Sequence, residues 1–206
     1  MARARNPAHR TALLEAATRV FAAEGLTAST ASIARAAGVS TGTLFAYFET
    51  KTTLVNELYV DLKSAMGRAA TDGLRQGAGP REQLRSMWDG WIEWAVQDPD
   101  RRRALAHLAV AEDLSPESRR AVHAAYAGTA EVLEPIVAGG PMRQAPLRLV
   151  STLMSAIADA TIDDLIAHPD STGVRSSLAF EAMWRALALD HAGDQSREPV
   201  PKPETS

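Results

Sequence analysis

The stretch from Ser29 to Lys51 reads STASIARAAGVSTGTLFAYFETK. Its spacing predicts two short helices, about residues 31–37 and 40–48, joined through Gly38-Val39-Ser40, with glycine where the turn wants a left-handed backbone. Helices this short are unstable alone and need tertiary support. The apolar positions say where the support comes from. Ile33, Ala34, Ala37 and Val39 make an inner surface, and Leu44 and Phe48, four apart, face it from the second helix. At about 100° per residue, the opposite face of that helix centres on Ala46, flanked by Gly42 and Thr43, with Phe45 and Tyr47 on its edges. Small residues on an outer face let a helix backbone approach its partner closely, as a helix seated in the major groove of DNA must. Tyr47 carries a hydroxyl able to donate to a phosphate, and Lys51 adds a positive charge just beyond.

Working outward, helical spacing recurs and strand signals are nearly absent. Asn6 and Pro7 read as a cap and first residue of a helix over about 8–24, with Leu13, Leu14, Ala17, Val20 and Phe21 on one face and Gly25 as its stop. Ser29 or Thr30 caps the next helix, and Thr50 caps a long one bearing Leu54, Leu58, Leu62 and Met66 at i+4 intervals. Beyond the break GLRQGAGP a fifth helix carries Leu84, Met87, Trp88, Trp91 and Trp94. Pro99 and Pro116 mark helix starts, giving helices of about 99–112 and 116–137, with Pro135 expected to kink or end the second. Two more follow, about 145–168 and 174–191. The expectation is an all-α chain of about nine helices: an N-terminal three-helix helix-turn-helix domain over 1–51, a C-terminal helical bundle over 52–192, and a disordered Pro- and charge-rich tail over 193–206.

Composition narrows the function classes. The chain has no cysteine, which excludes disulfides and thiolate metal sites. No signal-peptide core and no apolar run of membrane-spanning length is present, so a cytoplasmic protein without a membrane partner is expected. Charge is unevenly shared. Residues 1–51 hold Arg3, Arg5, Arg10, Arg19, Arg35 and Lys51 against Glu15, Glu24 and Glu49, a positive excess inside a chain of formal net charge −3. The basic part is therefore the candidate for phosphate contact. Arg3 and Arg5 fit either a minor-groove arm or a mobile terminus.

At these residues the sequence resembles the TetR-type transcriptional regulators. The shared run comprises Ile33, Ala34, Ala37, Gly38, Val39, Ser40, Gly42, Thr43, Leu44, Tyr47, Phe48, Lys51 and Leu54, after a first helix ending FAAEGLTAST. The resemblance implies that Thr30 contacts a phosphate and that Thr41, Gly42, Thr43, Phe45, Tyr47 and Lys51 form the DNA-facing set; the spacing argument adds Ala46. Phe45 departs from the pattern, since the family usually has tyrosine there, so a hydroxyl–phosphate bond is lost at that point. The implied activity is that of a repressor binding an inverted-repeat operator in double-stranded DNA as a homodimer, released by a small apolar or aromatic effector. An activator, a ligand-independent regulator and an all-α enzyme remain as alternatives, although no catalytic motif is found and no cofactor is expected.

For the larger part the resemblance implies only layout: an effector pocket among middle helices and a dimer interface from the last two. Met87, Trp88, Trp91, Trp94, His107 and Tyr126, with His123 on a neighbouring helix, suit such a pocket, although for any single tryptophan plain core packing is the better reading. Met154, Ile157 and Leu165, with Phe180, Trp184 and Leu187, form the stripes expected at the interface, and fit burial within one subunit as well. Asp159, Asp163, Asp164 and His168 have spacings able to collect a cation but read better as a polar helix edge, and no metal is expected.

Overall fold

In the computed structural model, which describes residues 7–188, three hydroxyl caps lay out the N-terminal region. Helix α1 (Pro7–Glu24) buries Leu13, Leu14, Ala17, Val20 and Phe21 and runs into a single 3-10 turn, Gly25–Thr27. Helix α2 (Thr30–Ala36) is capped by Ser29, whose Oγ accepts the Ser32 N–H at 3.0 Å. Helix α3 (Thr41–Tyr47) is capped by Ser40, which accepts the Thr43 N–H at 3.1 Å. Helix α4 (Lys51–Thr71) is capped by Thr50, which accepts the Thr53 N–H at 3.0 Å. Each such cap contributes about 1 kcal/mol, a large share of the stability of a two-turn helix. Between α2 and α3, Gly38 takes φ +71°, the left-handed value the turn demanded. Asn6, Arg3, Arg5 and the tail 193–206 lie outside the described residues.

The rest is built from α5 (Pro80–Gln97), α6 (Pro99–Ala109), α7 (Pro116–Ala125), α8 (Ala127–Ala138), α9 (Leu147–Ala167) and α10 (Thr172–Leu187). Proline opens α5, α6 and α7, and Asp98 and Ser115 cap the last two. The described residues hold ten α-helices and no strand, one helix more than the spacing predicts. The extra helix comes from a break in the expected 116–137 segment at Tyr126, whose backbone (φ −101°, ψ 9°) leaves the helical region. No proline or glycine occupies that position to announce the break. Tertiary contact supplies the reason: α7 and α8 both lie against α4, and the Tyr126 ring sits between them over the Lys63 ammonium. Pro135 does not end its helix, which runs on to Ala138.

Helix α4 is the spine. It touches α1 at one end and α5, α6, α7 and α8 along its length, while α9 and α10 pack on each other and on α5. Helix α1 lies along α6, and Arg10 of α1 reaches Glu57 of α4 at 2.6 Å. The buried apolar residues from Leu13 to Ala188 form one continuous cluster, so the N-terminal helices share a core with the body. Where α4 meets the α6–α7 loop, the buried Asn56 amide donates to the carbonyls of Thr52 and Asp113 and accepts the Ser115 N–H at 2.8 Å. That satisfies a polar side chain which would otherwise cost about 1–3 kcal/mol to bury. Helices α4 and α5 approach so closely that a Cβ on Gly90 would collide with the Ala69 carbonyl oxygen.

Candidate nucleic-acid interface and interior cavity

The frame beneath α3 is as the spacing predicts. Ile33, Leu44 and Phe48 are fully buried and Ala34 nearly so. The opposite face is open: Gly42 and Ala46 are exposed, and Phe45 is 42% exposed, an unusual state for a phenylalanine in a protein with a continuous core nearby. Thr30, Thr41, Thr43 and Tyr47 are half-buried around it. The Thr43 hydroxyl shares a 2.9 Å hydrogen bond with Ser40 Oγ, which ties that side chain to the helix cap. The Tyr47 ring packs against the core and stands edge-on to His9 of α1, centroids 6.5 Å apart. Lys51 Nζ donates to the Leu26 carbonyl at 2.7 Å, which straps the turn after α1 to the start of α4. An ammonium has three donors, so this strut keeps Lys51 in place while two N–H groups stay available to a phosphate. Of the expected set, Thr41, Gly42, Thr43, Phe45, Ala46 and Tyr47 thus lie on α3, with Gly42, Phe45 and Ala46 its exposed members, while Thr30 opens α2 and Lys51 opens α4.

Above this region, between α4, α5, α7, α8 and α9, lies a cavity of about 700 Å³. Its floor is apolar, made by the buried Met66, Leu84, Met87, Trp88, Leu133 and Met154. Its mouth is polar, with Arg119 and His123 of α7 and Arg148 and Thr152 at the start of α9, all exposed. Three buried polar atoms on its wall have no hydrogen-bond partner among the described residues: Trp91 Nε1, Tyr126 Oη and Thr129 Oγ1. Burial pushes the Tyr126 phenol far above its ordinary value, so it remains a protonated donor. Burial also lowers the Lys63 amine from its ordinary value, opposed by the carboxylate of Asp159 and assisted by the Arg102 charge. Volume, shape and mixed lining are those of a site for one drug-sized organic molecule.

Met87, Trp88, Trp91, Tyr126 and His123 therefore meet at one cavity, whereas two expected members do not line it. Trp94 is packed into the core, 8% exposed, nearly a turn further along α5 than Trp91, the last residue of that helix to line the cavity. His107 is exposed on α6, its ring beside Gly25 at the turn after α1. Trp88 also ties α5 to α10, since its indole N–H donates to Ser176 Oγ at 2.9 Å and its ring tilts against Phe180.

Most of the stripes expected at the dimer interface turn inward. Met154, Leu165, Phe180 and Leu187 are buried within the subunit, and Ile157 and Trp184 are half-buried against the same core. Trp184 lies under the Arg81 guanidinium, 5.6 Å from the ring centre. Helices α9 and α10 carry apolar residues on two faces, and the larger, more continuous face went inward. The outward face presents Leu149 and Leu153 on α9 and Val174 and Leu178 on α10, between 42% and 68% exposed. The acidic edge of α9 is shared among arginines. Arg102 lies 3.4 Å from Asp159 and 3.5 Å from Asp163, while Arg175 and His168 hold Asp164 at 2.7 and 3.2 Å. The Arg175 hydrogen bond keeps that carboxyl below the usual carboxylate range.

Sequence reasoning missed Tyr59, Lys63, Arg119 and Arg148 as cavity residues. For the first two a signal was present: Tyr59, Lys63, Met66 and Ala70 follow a helical face of α4, and a lysine interrupts an otherwise apolar line.

Comparison with known proteins matches both parts. Residues 13–58 match the model of the bacterial regulatory proteins of the tetR family. A protein of Shewanella sp. PV-4 described as a tetR family transcription regulator superposes with a TM-score of 0.79 at 25% identity, covering 90% of this chain and 100% of its own. A TetR family transcription regulator from Marinobacter aquaeolei VT8 gives 0.79 at 26% identity, over 87% and 95% of the two chains. FadR from Bacillus subtilis, in complex with stearoyl-CoA, shares the fold at a TM-score of 0.66 and 18% identity, over 86% and 98%. The helix-turn-helix run over residues 13–58 thus matches the model of the tetR family, and the described length shares its fold with TetR family transcription regulators of solved structure.

Proposed function

We propose that this chain is a ligand-responsive repressor that binds an inverted-repeat operator as a homodimer. The observation that carries the reading is continuity: α4 begins at Lys51, beside the exposed α3 face, and its later turns place Tyr59, Lys63, Met66 and Ala70 on the cavity wall. A molecule that shifts α4 from the cavity side moves the reader at the other end. Residues 1–51 act as the DNA-binding part and residues 52–192 as the ligand-binding and dimerisation part. Thr30, Tyr47 and Lys51 contact phosphates, while Gly42, Thr43, Phe45 and Ala46 meet the groove. One reader covers half a site, so a second copy is required, with its α3 about 34–36 Å away. The exposed Leu149, Leu153, Val174 and Leu178 on adjacent helices supply a self-complementary apolar face for that copy. The effector occupies the cavity, and a fold neighbour holding an amphipathic thioester supports the capacity of this architecture for such a guest. By linkage, effector and operator weaken each other by the same factor.

The test is a titration of the full chain against duplexes from its own upstream intergenic DNA at several salt concentrations. A specific duplex should bind at least about a thousandfold tighter than scrambled DNA. Equal affinity for both would overturn the reading.

A further inference from the structure

The cavity's lining is chemically one-sided. Lys63, Arg119, His123 and Arg148 contribute to it, and no aspartate or glutamate does, in a chain whose formal net charge is −3. Lys63 has no hydrogen-bond or ion-pair partner among the described residues; the Tyr126 ring, 5.9 Å from Nζ, is the contact it makes. Asp159 acts on it only at longer range and is itself shared with Arg102. The orphaned atoms point the same way. An indole N–H is donor only, and a protonated phenol and a threonine hydroxyl can both donate. Such a wall is satisfied by a group with lone pairs and no protons of its own. A neutral guest leaves the ammonium desolvated and unpaired, and a cation meets repulsion from every charged residue of the lining.

The geometry points to an organic anion as the effector class: an apolar or aromatic body over the methionine and tryptophan floor, with an acidic head paired to Lys63. This rests on the cavity being the effector site. Arg119 and Arg148 at the mouth raise the local concentration of anions and steer them inward. The head is then held by a charge-assisted bond to Lys63, with the orphaned donors beside it.

Trp88 and Trp91 line the cavity, so intrinsic fluorescence reads occupancy without DNA. The full chain is titrated with decanoate, decanol and decylamine, and with 4-phenylbutyrate against 4-phenylbutanol. At least one acid should bind roughly 10- to 100-fold tighter than its alcohol, with the amine weakest. Lys63→Met should bring acid and alcohol within about threefold of one another, chiefly by weakening the acid, and Lys63→Arg should retain the preference. Decanoyl-CoA, which has a neutral thioester in place of decanoate's carboxylate and its charges far beyond it, should gain nothing from Lys63. Absence of acid binding, or acid and alcohol equal in both series, overturns the assignment. So does a preference that survives Lys63→Met, and its loss instead in an Arg119→Ala/Arg148→Ala variant would move the head to the mouth. Release from operator DNA is measured separately. Selective acid binding without any change in DNA affinity overturns the effector reading and leaves the anion assignment standing. Release by a neutral or cationic compound alone does the reverse.

Discussion

Helix α3 and the pair α9–α10 are both amphipathic, yet the outward face of the first was readable from residues and that of the second was not. In α3 the two faces differ in kind. Leu44 and Phe48 are large and apolar, whereas Gly42, Thr43 and Ala46 are too small to anchor a core, so one orientation is possible. In α9 and α10 both faces are apolar. Met154, Leu165, Phe180 and Leu187 turned inward, while Leu149, Leu153, Val174 and Leu178 stayed out. Periodicity finds a stripe; it cannot say which of two stripes meets the protein's own core.

That contrast can be broken or sharpened experimentally. The largest effect belongs to the two phenylalanines of the reader. Phe48→Ala should cost about 3–5 kcal/mol in thermal or denaturant unfolding, since it empties a fully buried site. Phe45→Ala should cost under about 1 kcal/mol and act on DNA affinity instead. Equal destabilisation by both would mean α3 is seated differently. Next, Leu153→Asp with Leu178→Asp should weaken self-association at least about 30-fold, seen by sedimentation, with each subunit still folded. Phe180→Ala, placed on the inward stripe, should lower subunit stability itself. A dimer untouched by the aspartates would remove α9–α10 from the interface.

Ala46→Glu should leave the melting temperature within about 2–4 °C of the parent yet reduce operator affinity by roughly 10- to 100-fold, because a carboxylate would face the phosphate-lined groove. Binding unchanged in an anisotropy titration would refute the face assignment. Phe45→Tyr restores the hydroxyl usual in the family and should tighten operator binding by up to about tenfold. The smallest effect is expected at Lys63. Its folded pKa is lowered from its ordinary value by burial, so its charged form destabilises the protein below that folded pKa, and stability is regained as pH rises through it toward the unfolded value. Lys63→Met should therefore raise ligand-free stability by roughly 0.5–1 kcal/mol at neutral pH and flatten that alkaline rise. A lower melting temperature for the variant would instead make Lys63 a structural strut.

Much of the N-terminal site was legible because its signals are local. Ser29, one of two candidates, and Thr50 cap within three residues of themselves, and Gly38 answers a single backbone angle, whereas Ser40, expected as the first residue of α3, proves to be its cap. The Lys51 strap to Leu26 was not legible, since it joins chain positions that only the fold of the turn brings together. The cavity was half legible. A helix crowded with Met87, Trp88 and Trp91 announced large side chains, but the same crowding included Trp94, which the core absorbed. Tyr126 illustrates the limit from another direction, because the helix break there answers packing on α4 and not any helix-breaking residue.

The sequence by itself determined the all-α class, the helix-turn-helix over Ser29–Lys51, the caps and the small-residue face of α3. Each is decided within one or two helical turns, where spacing and side-chain size act directly. Tertiary structure alone decided which apolar stripes of α9 and α10 stay exposed, which aromatic residues surround the cavity, and that Lys63 stands partly buried without an ion-pair partner among the described residues. Those outcomes depend on helices distant in the chain competing to fill the same core, and a one-dimensional pattern carries no record of which competitor wins.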